Sequence, residues 1–145
     1  MMDIQALQKL GYSDKAIQLL TNNVNHRDME HPNYSISTES DCGDILILYF
    51  RTSSDLIKDM TFQYIGCRGL QAAASALTQL TIGKSFSEAM KIHPDMVIDF
   101  LQSIPAEKEE CVIFSCKSLR LAVEKLQMGD TKLSLYPYRI ETSDW

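Results

Sequence analysis

The hydrophobic pattern of the chain changes period at Gly66, and that change limits the folds open to it. Before Gly66 the apolar residues alternate. Tyr34 and Ile36 share one side of the run Tyr34 to Thr38, and Met60, Phe62 and Tyr64 share one face of Met60 to Ile65. Between them Ile45 to Phe50 is almost continuously apolar, as a central strand requires, and Arg51 to Asp55 has the composition of a hairpin turn. After Gly66 the spacing becomes helical. Leu70, Ala73, Ala74, Leu77 and Leu80 make one stripe, with Gln71, Ser75 and Thr78 off it, and Gly83 ends the helix. Ser85 to Glu88 reads as a capping box. Pro94 or Asp95 opens a further helix, with Met96, Val97, Phe100, Leu101 and Ile104 inward, and Pro105 stops it. The charged run Glu107 to Glu110 then leads into a last helix from about Cys116, with Leu119, Ala122, Val123 and Leu126 as its stripe and Gly129 as its end.

A short helix follows Ser13, and the polar stretch Asn22 to Asn33 reads as loop. Strands followed by helices predict an α+β domain, a three-stranded antiparallel sheet covered by several helices. The 145 residues suffice for one domain, placed at residues 1–129, with 130–145 as a tail carrying a short apolar piece from Leu133 to Tyr138.

Lys and Arg are scattered and the net charge is −5, which argues against nucleic-acid binding, where clustered cations must neutralise phosphates. The acidity mildly favours basic protein partners. No apolar run approaches the ~18 residues of a membrane span, and no secretory pattern opens the chain. The expected location is the cytoplasm. Four cysteines, with no Cys-x-x-Cys pair, are in a reducing compartment more often free, catalytic or metal-bound than disulfide-linked.

Two of these cysteines are expected to converge. Paired residues in an antiparallel hairpin have numbers with a constant sum, and Cys42 and Cys67 average to a point between Ser54 and Asp55, inside the predicted turn. That register puts them side by side at one end of the sheet, at a backbone separation of about 5 Å. Asp44 adds a hard oxygen, and Gly43 lets the backbone approach a ligand. Cys67 followed by Arg68, and Cys116 followed by Lys117, both stand at predicted helix starts, where a thiol pKa falls. Three thiolates and a carboxylate match the ligand count of tetrahedral zinc or of part of a [2Fe–2S] cluster. Spacing alone does not bring Cys116 to this site.

These residues resemble the U-type iron–sulfur scaffold family (IscU, SufU and the N-terminal domain of NifU). The matching pieces are Tyr12-Ser13-Asp14, Cys42-Gly43-Asp44, Gly66-Cys67 with Ala72-Ala73-Ala74-Ser75, Gly83-Lys84-Ser85 with Glu88-Ala89, and Cys116, in that order from about Tyr12 to Leu126. The resemblance implies an α+β fold and a site of Cys42, Asp44, Cys67 and Cys116. It implies sulfur received from a cysteine desulfurase, with Cys116 as the candidate persulfide acceptor, and a labile [2Fe–2S] cluster passed on to apoproteins. The expected role is that of a carrier, not an enzyme. Some family members bind zinc instead. Two departures stand out. Ser115 precedes the matched cysteine where many scaffolds have histidine, and Ile104-Pro105-Ala106-Glu107-Lys108 replaces the Leu-Pro-Pro-Val-Lys chaperone motif, which argues against the dedicated chaperone as a partner.

The competing readings are a zinc-bound sulfurtransferase accessory and a metal-free interaction module that kept the fold. Cys111 has no placed counterpart and reads as a structural thiol, with a resolving role toward Cys116 as its alternative. His26 and His31 read as solvated loop residues and His93 as part of a turn. Gly83-Lys84-Ser85 lacks the earlier glycine of a P-loop, so nucleotide binding is rejected.

Overall fold

A computed structural model describes residues 3–130, 136–143 and 145. Two short helices, α1 (Ile4–Leu10) and α2 (Asp14–Thr21), precede the strands β1 (Tyr34–Ser40), β2 (Ile45–Ser53) and β3 (Leu56–Ile65). Helices α3 (Arg68–Thr81), α4 (Phe86–Ala89), α5 (Pro94–Leu101) and α6 (Glu109–Gln127) follow, and strand β4 (Tyr138–Ile140) is last. A single 3-10 turn, Ala106–Lys108, leads into α6.

Among the described residues the sheet has four strands, not three, in the order β3-β2-β1-β4. The extra strand pairs in parallel with Thr38 to Ser40, so the expected tail contributes to the sheet. Residues 133–135 of the apolar piece Leu133 to Tyr138 lie outside the described residues.

The inner face of the sheet is built in rows. Tyr34, Phe50 and Met60 form one row, Ile36, Leu48 and Phe62 the next, and Thr38, Leu46 and Tyr64 the one beyond. All but Tyr64 are buried, which follows from the period-two pattern. The β2–β3 hairpin turns at Ser54 and Asp55, the midpoint read from the cysteines, although the strands run longer than the pattern predicted. Register slips by one residue between Arg51 and Thr52, a bulge of the kind that adds twist to a ribbon.

Helix α3 packs across this face and is buried nearly all round. Gln71, Ser75 and Thr78, placed off the apolar stripe, are buried too, because each has a polar partner in the 22–33 loop region or beside it. The Ser75 hydroxyl donates to the Val24 carbonyl (2.8 Å), Asn25 Nδ2 donates to Thr78 Oγ1 (2.9 Å), and Gln71 Nε2 donates to Asn23 Oδ1 (3.2 Å) while its Oε1 accepts from the Tyr64 hydroxyl (2.8 Å). The loop is thereby tied to the core by hydrogen bonds that composition alone does not reveal.

Helix α6 is registered on the sheet by a buried pair, Thr38 Oγ1 and Ser118 Oγ at 2.7 Å. It begins at Glu109, seven residues before the predicted start at Cys116, with Glu109 and Glu110 in its first turn, where the helix dipole favours acids. The outer edge of β3 is met by other segments: Phe62 N–H donates to the Asn25 carbonyl (3.0 Å) and Ile57 N–H to the Lys84 carbonyl (2.9 Å). Among the described residues no helix is long and apolar enough to cross a membrane.

Candidate metal centre

Beyond the third row, at the end of the sheet, the strands give way to the β1–β2 turn and the start of α3. The Ser40 hydroxyl accepts from the N–H of Cys42 (3.3 Å) and of Asp44 (3.1 Å), and Gly43 N–H donates to the Ser40 carbonyl (3.0 Å). Gly43 sits at φ 87°, where a side chain is disfavoured, so the turn is tight and presents Cys42 at its exposed tip. On the far side Gly66 ends β3 and its missing side chain makes room for Asp44. A Cβ there would stand 3.0 Å from Asp44 Oδ1. Cys67 follows as the N-cap residue of α3.

The third sulfur comes from α6, and it is Cys111. Its Sγ lies 3.7 Å from Cys67 Sγ, and donor atoms of Asp44, Cys67 and Cys111 all fall within 4.8 Å of one another. Cys42 is outside that tight group but lines the same cavity, of about 240 Å³, together with Ser40, Lys108, Glu110 and Thr142. Two sulfurs bound at ~2.3 Å to one tetrahedral metal stand ~3.8 Å apart, so the Cys67–Cys111 spacing already fits a shared metal.

Cys116 is placed elsewhere. It is 2 % exposed, within the hydrophobic core. Five residues along an α-helix turn the side chain by about 140°, so Cys111 and Cys116 cannot both face the cavity. Burial pushes the Cys116 thiol up to about 12, the opposite of the lowering expected from a helix start. Lys117, expected to assist it, instead donates to the Glu141 carbonyl (2.6 Å). The expected site of Cys42, Asp44, Cys67 and Cys116 is therefore corrected in one member: the described geometry puts Cys111 there. The same turn of helix removes the Cys111–Cys116 disulfide alternative, since Cys67 is the thiol that Cys111 faces. The residue preceding the site cysteine is then Glu110, not Ser115, and it puts a carboxylate on the cavity rim.

The electrostatics divide the two facing thiols. Cys67 is lowered to about 5, first by the hydrogen bond from Cys111, then by the Leu70 N–H, Lys108 and the Gly69 N–H, against the effect of burial. Cys111 is raised, first by that same bond to Cys67 and next by burial. The pair thus favours the thiolate on Cys67 over that on Cys111. Asp44 is raised by burial and by the Cys67 charge, with Lys108 opposing. Lys108 lies against Gly69, where a Cβ would come within 2.8 Å of the lysine stem, so glycine admits the cation to the sulfur. Tyr12 is pushed up to about 12, chiefly by burial and then by the charges of Cys67 and Cys111, which places the first matched motif beside the site.

The histidines take no part in this cluster. His26 stacks on Phe62 at 5.2 Å and His93 caps α5, its Nδ1 accepting from Asp95 N–H at 3.3 Å.

An α+β protein with a thiolate–carboxylate pocket at the end of its sheet is the class that fold and site define. The chain matches the NifU-like N terminal domain family over residues 11–132 and belongs to that family. The iron-sulfur cluster assembly scaffold protein IscU 1 of Archaeoglobus fulgidus is 32 % identical over 114 residues, covering 77 % of this chain and 74 % of the relative. The nitrogen fixation protein NifU of Nostoc sp. is 31 % identical over 121 residues, covering 77 % of this chain and 40 % of that longer protein. Among solved structures, a putative iron-sulfur cluster assembly scaffold protein for the SUF system from Fervidobacterium islandicum superposes with a TM-score of 0.62 at 23 % identity, over 77 % of this chain and 96 % of that one. The N-terminal NifU-like protein of Brucella abortus gives 0.65 at 11 % identity, over 81 % and 95 %. These two likenesses concern the fold.

Proposed function

We propose that this protein is an iron–sulfur cluster assembly scaffold, a carrier and not an enzyme, that holds its cargo on Cys67, Cys111 and Asp44 with Cys42 completing the set. The observation that carries the reading is the convergence of three donor atoms within 4.8 Å at an open cavity. Family membership and relatives named as scaffolds support it. The cargo is a labile [2Fe–2S] cluster, the sulfur comes from a cysteine desulfurase, and apoproteins receive the product.

Sulfur acceptance needs a thiolate that a partner can reach. Cys116 lacks both access and charge, so that role passes to the facing pair. The deprotonated member of Cys67–Cys111 attacks the outer sulfur of the desulfurase persulfide. A new S–S bond forms here, the old one breaks, and the desulfurase cysteine leaves as thiolate. Lys108 stands by to balance the charge.

Anaerobic reconstitution with ferrous iron and sulfide tests the proposal. Visible absorption should develop in the unaltered protein and be lost in Cys67→Ala and Cys111→Ala. A second reading, zinc-bound sulfur acceptor, is favoured by the tetrahedral spacing of the two sulfurs. Tightly held zinc near one equivalent, with no chromophore after reconstitution, would select it.

A further inference from the structure

Two of the four candidate ligands are held at helix starts and two, Cys42 and Asp44, belong to the β1–β2 turn. Cys67 caps α3, Cys111 belongs to the first turns of α6, and Asp44 leans on Gly66. Cys42 alone sits at the exposed tip of a turn, secured from inside only through Ser40. The C-terminal segment secures it from outside. Thr142 donates twice to Asp41 Oδ1, from its backbone N–H at 3.1 Å and from its hydroxyl at 3.0 Å. Thr142 is 4 % exposed and lines the cavity, although it bonds to an exposed turn.

The segment is anchored on both sides of the site. β4 pairs with Thr38 to Ser40, the residues of β1 that lead into the turn. Lys117, on the helix that carries Cys111, donates to the Glu141 carbonyl. Beyond it, Trp145 lies under the Arg120 guanidinium at 4.7 Å and against His93 at 5.2 Å. The family match ends at residue 132, so Tyr138 to Ile140, Thr142 and Trp145 lie past the matched region while their partners lie within it.

We infer that the segment 138–143 is a clasp on the ligand-bearing turn, with Asp41 and Thr142 as positioning residues that hold Cys42 at the cavity. Neither touches the cargo, and each acts through the backbone next to Cys42. A docked clasp keeps Cys42 in place and slows loss of what is bound. A clasp pulled away by a partner frees that one arm while Cys67 and Cys111 stay in place. The last step rests on the proposed reading of Cys42 as a ligand.

Asp41→Ala removes the acceptor, and Thr142→Val removes the hydroxyl while keeping the N–H. In metal-free protein both should speed amide hydrogen exchange at Cys42 to Asp44 and alkylation of Cys42, located by mass spectrometry. The expected gain is about 3- to 10-fold, the range for one lost hydrogen bond. Glu88→Ala, which opens the capping box of α4 and touches neither the turn nor the clasp, should leave both rates alone. Unchanged rates in Asp41→Ala and Thr142→Val overturn the clasp, as does a gain shared equally by every amide in the protein. The same variants loaded with zinc alone should lose it faster to a chelator. Faster exchange at the turn with unaltered zinc loss supports the clasp and overturns Cys42 as a ligand, so the two readings fail separately.

Discussion

Cys67 Sγ and Cys111 Sγ face each other at 3.7 Å across the starts of two helices separated by 44 positions in the chain. Cys116, one and a half turns further along the same helix, faces the core instead. Replacement of the two α6 cysteines should therefore have opposite outcomes. Cys111→Ala should abolish zinc binding and cluster reconstitution with little loss of stability. Cys116→Ala should keep both and cost about 1–2 kcal/mol for a small core cavity, read by denaturant unfolding. Metal retained by Cys111→Ala and lost by Cys116→Ala would sink the assignment.

The thiolate favoured on Cys67 gives a pH signature. In metal-free protein the alkylation rate of Cys67 should rise with a midpoint near the value of about 5 to which its pKa is lowered. An ordinary thiol would show its midpoint near ~8.5. The sign for stability follows from linkage. A folded-state pKa below the unfolded one gives a contribution fully present above the unfolded value and lost as pH falls through about 5. Cys111, raised, works the other way, and only above the pH at which the unfolded thiol ionises. Unfolding free energy should accordingly gain from this site as pH rises through the neutral range, and Cys67→Ser should remove that gain.

Gly66→Ala tests the seat of Asp44. The added carbon would meet Asp44 Oδ1 at 3.0 Å, its Cγ at 3.1 Å and the Leu70 side chain at 3.2 Å. Backbone and carboxylate must move apart, with an expected cost of about 1–3 kcal/mol. Zinc affinity, measured by competition with a chelator, should fall at least about tenfold if one ligand is displaced. An unchanged affinity would mean that Asp44 does not contribute to the site.

Gln71→Leu should destabilise through orphaned partners, not through lost volume. The side chain is 1 % exposed and satisfies the Tyr64 hydroxyl and Asn23 together. Their loss is expected to cost about 1–3 kcal/mol, with faster amide exchange in residues 22–26. A stabilised variant with unchanged exchange there would refute the idea that α3 pins the loop.

The β2–β3 hairpin was legible in its turn. The turn at Ser54 and Asp55 lies within the run Arg51 to Asp55 read from its composition, and the bulge at Arg51/Thr52 shifts the register by a single residue. Cys67 as a helix-start thiolate was legible from the change of period at Gly66. Cys111 was missed because the acidic run Glu107 to Glu110 read as a linker, while acids are what a helix N-terminus favours. A signal was present. The stripe of Leu119, Ala122 and Val123 extends backward through Ser115 to Cys111 at helical spacing. The parallel pairing of β4 had no local signal, since a three-residue strand owes its register to partners a hundred positions away.

The outer edge of β3 has its Phe62 and Ile57 N–H groups already bonded to loop carbonyls, and the site end of β1 is covered by β4. A sheet whose edges are met at these points by other segments is a poorer template for another copy of itself. The candidate pocket thus opens at the end of a sheet whose described edges offer few free strand positions for a second chain.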